Sequence, residues 1–190
     1  GAEFDGDGNV IFGCSQGTTD NTLAGRVAKY ARDGQELWTV TSSQSVVPLQ
    51  GLGPQWFQGM AVDHQGRTVV ALKNTKLSDG TQSLLTLCYS PEGTLLWWND
   101  DLAGRKNTPR FVRAGTNGEV LIGGVEGSMS EFLLRYDSSG RRLSYTETDL
   151  RLWPTAAVLD ERGNVFVVGH QQSTTGGEDL DILSMSFGPS

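Results

Sequence analysis

The residues with the clearest potential for chemistry lie near the N-terminus, in the segment Asp5-Gly6-Asp7-Gly8-Asn9. Alternating carboxylate and amide oxygens on a glycine turn resemble the start of a calcium loop, which makes Asp5, Asp7 and Asn9 candidate metal ligands. A complete loop places a bidentate glutamate about twelve positions after the first ligand, and Gln16 stands there instead. A structural turn explains the same residues, because an aspartate accepts hydrogen bonds from the backbone two residues on. We favour the turn, and calcium is the one cofactor that the sequence raises.

Catalytic constellations are harder to find. The two histidines, His64 and His170, lie far apart in the chain. There is no Gly-x-Ser-x-Gly nucleophile elbow, no phosphate loop, no zinc-binding helix and no dinucleotide fingerprint. We therefore expect a protein that is not an enzyme and has no catalytic residues.

Two sequence motifs, called phrases below, repeat along the chain and must position whatever the chain binds. A polar turn followed by an apolar run occurs four times, with its glycine at Gly8, Gly66, Gly118 and Gly163. A second phrase, in which tyrosine precedes a glycine by four residues and leucine follows it by three, begins at Tyr30, Tyr89 and Tyr136. Each phrase predicts a hairpin, because glycine supplies the positive φ of a tight turn and the flanking residues suit strands.

Two hairpins in each repeat give four short antiparallel strands, and four such repeats are typical of β-propeller blades. The sequence thus predicts an all-β propeller, a single domain over residues 1–190. The predicted blades cover residues 1–43, 58–101, 110–149 and 155–188. We interpret residues 42–58 as a loop between blades. Trp38 and Trp97 occupy equivalent positions and are expected to pack between blades.

The repeated sequence motifs resemble those of known bacterial propeller families. Asp-x-x-Gly-Asn-Val followed by an apolar run, and then Lys/Arg-Tyr-x-x-x-Gly-x-x-Leu-Trp, is similar to the SBBP-type repeats. The Gly-x-x-Leu-Trp ending is similar to the PQQ-like propeller repeats. The resemblance implies a bacterial protein located outside the cytoplasm: secreted to the extracellular space, at the cell surface or in the periplasm. It does not carry over an activity, because propellers of one fold serve many functions.

Four residues are candidates for ligand binding. Trp56 and Trp153 stand just before predicted innermost strands, and Arg110 and Arg113 take the comparable region of the third repeat. Such segments reach a mouth of the central channel, where aromatic and arginine side chains can hold a sugar, a peptide or a carboxylate. We expect a non-catalytic module that binds protein or another ligand. The alternatives are a lectin-like carbohydrate binder and a propeller hydrolase or lyase.

Composition limits the partners. The net charge of −7 lacks the basic footprint of a nucleic-acid binder, and no apolar stretch is long enough to insert into a membrane. The Arg105-Lys106 pair is interpreted as solvated. Cys14 and Cys88 are expected to be unpaired thiols, and a single disulfide between them is the alternative.

The two ends of the repeat array leave the architecture open. The chain begins at a predicted innermost strand and ends after the third strand of the fourth repeat. Four blades could close by themselves, belong to a larger propeller, or self-assemble as two copies in an eight-bladed ring. In the last two cases an apolar blade face would need a partner.

Overall fold

The computed structural model describes residues 1–18, 23–45, 52–127, 130–148, 152–160, 162, 164–171 and 181–187. Consecutive strands pair into four antiparallel sheets, and each sheet is one blade. The strands of blades 1 and 2 are β1 (Ala2–Phe4), β2 (Val10–Gly17), β3 (Leu23–Tyr30), β4 (Glu36–Thr41), β5 (Leu52–Val62), β6 (Thr68–Lys76), β7 (Gln82–Tyr89) and β8 (Leu95–Asp101). Those of blades 3 and 4 are β9 (Asn107–Ala114), β10 (Val120–Glu126), β11 (Ser130–Tyr136), β12 (Arg142–Thr148), β13 (Leu152–Leu159), β14 (Val165–Gln171) and β15 (Asp181–Phe187). A short helix, α1 (Ser42–Ser45), follows blade 1.

The predicted all-β fold and its four blades are confirmed. Blades 1 to 3 have four strands each, in chain order across the sheet, and the described part of blade 4 has three. The first strands lie together, β5 against β9 and β9 against β13, so they are the innermost strands around a central channel. β1 is the short innermost strand of blade 1 and lies against β5.

The predicted turns close these hairpins. Gly8, Gly66 and Gly118 have φ values of 78°, 76° and 78°, in the left-handed region that only glycine enters at no cost. The fourth glycine of this set, Gly163, lies outside the described residues.

Blades 2 and 3 each pack through both of their faces. We call the face toward the blade before it in the chain its preceding face, and the opposite one its following face. In blade 2, Val70 and Leu72 on the preceding face share a core with Ile11 of blade 1. Val69 on the following face shares a core with Ile122 of blade 3. A third core joins blades 3 and 4. The alternation of strand side chains thus buries apolar residues on both faces of an inner blade.

Two tryptophans connect neighbouring blades, as the sequence predicts. Trp38 packs in the core between blades 1 and 2, and its indole Nε1 donates a hydrogen bond to the carbonyl of Pro91 at 2.7 Å. Trp97 packs against the core between blades 2 and 3. Its ring lies where a Cβ on Gly140 of the next blade would be, 2.5 Å away. Glycine is therefore needed at position 140 for two reasons: its φ is 85°, and a side chain there would clash with Trp97 of the preceding blade.

The innermost strands begin earlier than predicted. The prediction of a loop over residues 42–58 was wrong for residues 52–58, because β5 already begins at Leu52. Likewise β9 begins at Asn107 and β13 at Leu152, where the predicted blades begin at 110 and 155. Proline is the reason for the error: each of these early segments contains one, at Pro54, Pro109 and Pro154. Proline usually argues against a strand, but an innermost strand has one edge free of ladder partners and tolerates it.

Candidate ligand-binding site at one end of the channel

The two ends of the channel are built differently. One end carries the tight turns between first and second strands and between third and fourth strands, and we call it the turn end. The other end carries the connections between blades and the starts of β5, β9 and β13, and we call it the connection end. The four ligand-binding candidates all lie on these innermost strands. Trp56, Arg110 and Trp153 are in the N-terminal halves, whereas Arg113 is one residue before the end of β9, nearer the turn end.

A bulge recurs near the middle of all three long innermost strands. The register shifts by one residue after Phe57, Pro109 and Pro154, which leaves Gln58, Arg110 and Thr155 as the extra residues. Such bulges re-aim side chains and break the regular alternation of a strand. The backbones also approach closely there, because a Cβ added to Gly124 would lie 2.2 Å from the carbonyl oxygen of Thr108. The fold therefore presents a polar side chain at the same level of three neighbouring strands.

Trp56 is the most exposed tryptophan of the described site. Its side chain is 51% exposed although it belongs to a strand. It faces Lys73 across the β5–β6 pair, and Gln58 donates an amide hydrogen bond to its backbone carbonyl at 3.3 Å. Trp56 thus sits on a paired strand rather than in the linker that the sequence predicts.

Trp153 is the centre of a second cluster. Its ring stacks on the imidazole of His170, with 6.1 Å between centroids and 16° between planes. The Arg110 guanidinium lies 5.6 Å from the centre of the same ring. Trp153 stays 39% exposed, and Arg110 is exposed as well. The structure thus brings together two of the predicted site residues, from adjacent blades, and adds His170.

Arg113 has a different position from Arg110. Its Nε donates to the carbonyl of Ala157 on β13 at 2.7 Å, and its Nη1 donates to the carbonyl of Val112 at 2.7 Å. These bonds hold β9 and β13 together at the channel and occupy two of the five donors of the guanidinium. Arg113 therefore braces the neighbouring innermost strands and lies three residues beyond the Arg110–Trp153 pair.

Neither Arg110 nor Lys73 forms an ion pair with any residue that the structure describes. Arg105, by contrast, is part of a network that the sequence did not indicate: it pairs with Glu126 and Glu147 at 2.8 and 2.9 Å and lies over the ring of Tyr145. Arg105 is exposed to solvent, as predicted, but the sequence did not indicate its acidic partners, because strand pairing brings them from distant positions. In an acidic chain, unpaired cations beside exposed indoles mark a place suited to a polar or anionic ligand.

The candidate calcium ligands lie at the turn end. The Asp5 carboxylate accepts hydrogen bonds from the backbone amides of Asp7 and Asn9 at 3.0 and 2.8 Å. Its other oxygen accepts from the Asn9 amide and from the Lys29 ammonium, each at 2.9 Å. Burial by itself raises the pKa of Asp5, but the bonds from Lys29 and Asn9 outweigh it and lower the pKa to about 2. The residues fit a metal poorly, because Lys29 already supplies the positive charge to the only candidate carboxylate that is buried.

The same turn recurs where no calcium loop was suspected. Asp63 accepts from the backbone amides of Gln65 and Arg67 at 2.9 Å, and Asp160 accepts from those of Arg162 and Asn164. The contacts at Asp5 are thus the general way in which this repeat closes its first turn. In the part of the chain that the structure describes, no group of three or more His, Cys, Asp or Glu side chains is arranged to hold a metal.

The two histidines lie at opposite ends of the channel. His64 belongs to the turn between β5 and β6, whereas His170 lies near the end of β14 beside Trp153. They are therefore too far apart along the strands to serve one reaction centre. Cys14 and Cys88 are both free thiols, and burial raises the pKa of Cys88 to about 12.

Comparisons with known proteins support the fold. No family model matches the chain, and no curated protein matches it in sequence. Among solved structures, the chain is similar to the β-propeller domain of the Trilobed protease from Pyrococcus furiosus, a domain with an open velcro topology. The TM-score is 0.62 at 11% identity, over 98% of this chain and 53% of that one.

Two further solved chains are similar. One is a protein of unknown function from Bacteroides caccae, with a TM-score of 0.55 at 14% identity over 94% of this chain and 57% of that one. The other is the polysaccharide lyase Uly1, with a TM-score of 0.54 at 12% identity over 96% of this chain and 48% of that one. The chain spans about half the length of these matches. No helix among the described residues is long and apolar enough to cross a membrane. Together the findings establish that this chain has the β-propeller fold.

Proposed function

We propose that this chain is a non-catalytic binding module that holds its ligand at the connection end of the channel. The observation that carries the proposal is the exposure of Trp56 and Trp153, large apolar side chains that a strand would normally bury. Both stand on paired strands, so their positions are fixed before a ligand arrives, and pre-organisation lowers the entropic cost of binding. Exposed aromatic residues with a few polar groups around them are typical of ligand sites.

Carbohydrate is the ligand class that we favour. An indole offers a flat apolar face and one N–H donor, which suits a sugar ring that has apolar C–H faces and hydroxyl edges. Gln58, Arg110 and Thr155 place amide, guanidinium and hydroxyl groups at the level of the three bulges. These groups can exchange hydrogen bonds with hydroxyls or with a carboxylate. A protein ligand is the alternative, and the same site would then take an exposed peptide loop.

A hydrolase or lyase is the competing class. It needs an acid or base within hydrogen-bond reach of a substrate. The separation of His64 and His170 and the pairing of Glu126 and Glu147 with Arg105 argue for binding rather than catalysis. The likeness to a lyase is at 12% identity and concerns the blades alone.

The test is a glycan array, followed by calorimetry on any glycan that binds. We expect Trp56→Ala to weaken binding at least tenfold while the melting temperature stays unchanged. The matched control is Leu96→Ala, which removes an equally exposed apolar side chain from an outermost strand. Loss of affinity in the control, or retention in the Trp56 variant, would contradict the site. Appearance of cleaved glycan products would favour the enzyme class.

We also infer that the repeats belong with the SBBP-type and PQQ-like bacterial propellers and that the protein acts outside the cytoplasm, at the cell surface or in the periplasm. The repeated turn phrases and the Gly-x-x-Leu-Trp endings support the first inference. Detection of the protein by antibody in cell fractions of its source organism tests the second, and a purely cytoplasmic signal would contradict it.

A further inference from the structure

The two terminal blades each present an apolar face that resembles the interior of the array. On the preceding face of blade 1, Phe12 is 53% exposed, although its equivalents in blades 2, 3 and 4 (Val70, Ile122 and Val167) are at most 3% exposed. Phe4, on the same face, is the most exposed large apolar residue of the described chain. Cys14, two residues beyond Phe12 on β2, is exposed as well.

The following face of blade 4 repeats the situation at the other end of the array. Phe166 is 43% exposed, whereas its equivalents in blades 1, 2 and 3 (Ile11, Val69 and Leu121) are at most 2% exposed. Val158 and Val168 lie on the same face and are also exposed. Both terminal faces thus carry apolar residues at register positions that the three inner cores bury.

These two faces are of opposite kinds, and the chain already shows how such faces combine. Each of the three inner cores joins the following face of one blade to the preceding face of the next. Among the described residues, nothing covers the apolar side chains on the following face of blade 4 or on the preceding face of blade 1. We propose that a second copy of this chain covers both faces, so that blade 4 of each copy packs on blade 1 of the other.

Closure of the ring favours a second copy over an open array. Two identical head-to-tail contacts related by a twofold axis along the channel use every exposed face and leave none for further growth. The assembly would have eight blades.

The inter-blade contact provides a model for the new interface. In the core between blades 1 and 2, the ring of Phe57 and the sulfur of Met60 fill the space over Gly13. Val168 holds the position of Gly13 in blade 4. The new interface would therefore be bulkier on the blade 4 side, and Ala2 of the second copy, where blade 2 has Met60, would supply the matching room.

The experiment is light scattering of the intact chain over a range of concentrations, with variants that place a charge on one face only. The chain has a mass of 20.5 kDa, and we expect the wild type to show twice that mass. Phe12→Glu and Phe166→Glu should each be monomers, because either change damages both contacts of the ring. Circular dichroism melts of both variants establish that they fold. Leu96→Glu, on an exposed position away from both faces, is the matched control and should stay dimeric.

Mixing the two variants gives the sharper result. The undamaged blade 4 of Phe12→Glu can pack on the undamaged blade 1 of Phe166→Glu, so the mixture should form a dimer with one contact. A symmetric contact between two blade 1 faces would instead leave Phe166→Glu dimeric by itself, and that result would overturn the proposal. A wild type that stays monomeric at every concentration, or that grows into open polymers, would overturn it too.

Discussion

The turn end of the channel is built from the same residue type in most blades, whereas the residues toward the connection end differ from blade to blade. At the turn end, three of the four blades use an aspartate that accepts backbone hydrogen bonds from the residues two and four positions later. At the three bulges, which lie between this end and the connection end, the equivalent positions hold Gln58, Arg110 and Thr155, which share no chemistry beyond polarity. The recurring aspartate has a structural role in closing the turn. The bulge residues differ from blade to blade on the same backbone, so they can serve ligand binding.

The difference extends to charge. The buried ammonium of Lys29 is paired with Asp5, and the buried guanidinium of Arg135 is paired with Glu119. Arg110, at the other end, rests on an aromatic ring and not on an acid. These two cations near the turn end are thus paired within their own blades. At the connection end, Arg105 is paired with Glu126 and Glu147, whereas Arg110 has no ion pair among the described residues and is available to an external partner. Substitutions at the two ends should therefore have separable effects on stability and on binding.

The largest expected effect is at the turn end. Asp5→Ala leaves the Lys29 ammonium buried without its carboxylate and removes the acceptor of two backbone amides. We expect a loss of about 3 kcal/mol in the free energy of unfolding, measured by urea denaturation. The double variant Asp5→Ala with Lys29→Met should recover part of this loss, because no charge remains buried. A single variant as stable as wild type would show that the turn does not depend on the pair.

A matched pair of tryptophan substitutions compares the ends directly. Trp97→Ala opens a space beside Gly140 and the core between blades 2 and 3, and should cost about 3 kcal/mol. Trp56→Ala removes an exposed ring and should change the free energy of unfolding by less than about 0.5 kcal/mol. Thermal melts of both variants test this contrast. Equal losses would mean that Trp56 is part of the packing and not of a binding surface.

Low pH should destabilise the fold through Asp5 at the turn end. The pKa of Asp5 is about 2 in the folded chain, below its ordinary value of 3.8, so its contribution to stability is complete above pH 4 and is lost as the pH falls toward 2. The loss amounts to about 2 kcal/mol for this residue. Urea denaturation between pH 5 and pH 2 measures it, with Asp5→Asn as the control. A variant that keeps the full acid sensitivity of the wild type would assign the effect to other carboxylates.

The smallest effect concerns the two thiols. Cys14 is exposed on the preceding face of blade 1, whereas Cys88 is buried and its pKa is raised to about 12, so it stays protonated at neutral pH. Iodoacetamide under native conditions should modify one thiol, identified by peptide mass spectrometry as Cys14. Under the ring proposal, this reaction should be slower in the dimer than in the Phe166→Glu monomer. Equal rates would indicate that the face of blade 1 is open in both.

Sequence periodicity predicted the blades but not the start of their innermost strands. The turn glycines and the tyrosine phrases are local features, and a hairpin closes through contacts within about ten residues of its turn. The early parts of β5, β9 and β13 escaped prediction because each contains a proline, whose penalty is absent at a free strand edge. Trp56 and Trp153 were identified as unusual, but they were assigned to linkers for the same reason.

The sequence by itself determined the repeat, the turn chemistry and the two-sided apolar strands, because these depend on residues that are close in the chain. Only the tertiary structure decided which side chains meet across blades. Arg110 rests on Trp153, Arg113 braces Ala157, and Arg105 is tied to Glu126 and Glu147. These partners are separated by between 21 and 44 residues, and no local pattern encodes the angle at which one blade meets the next.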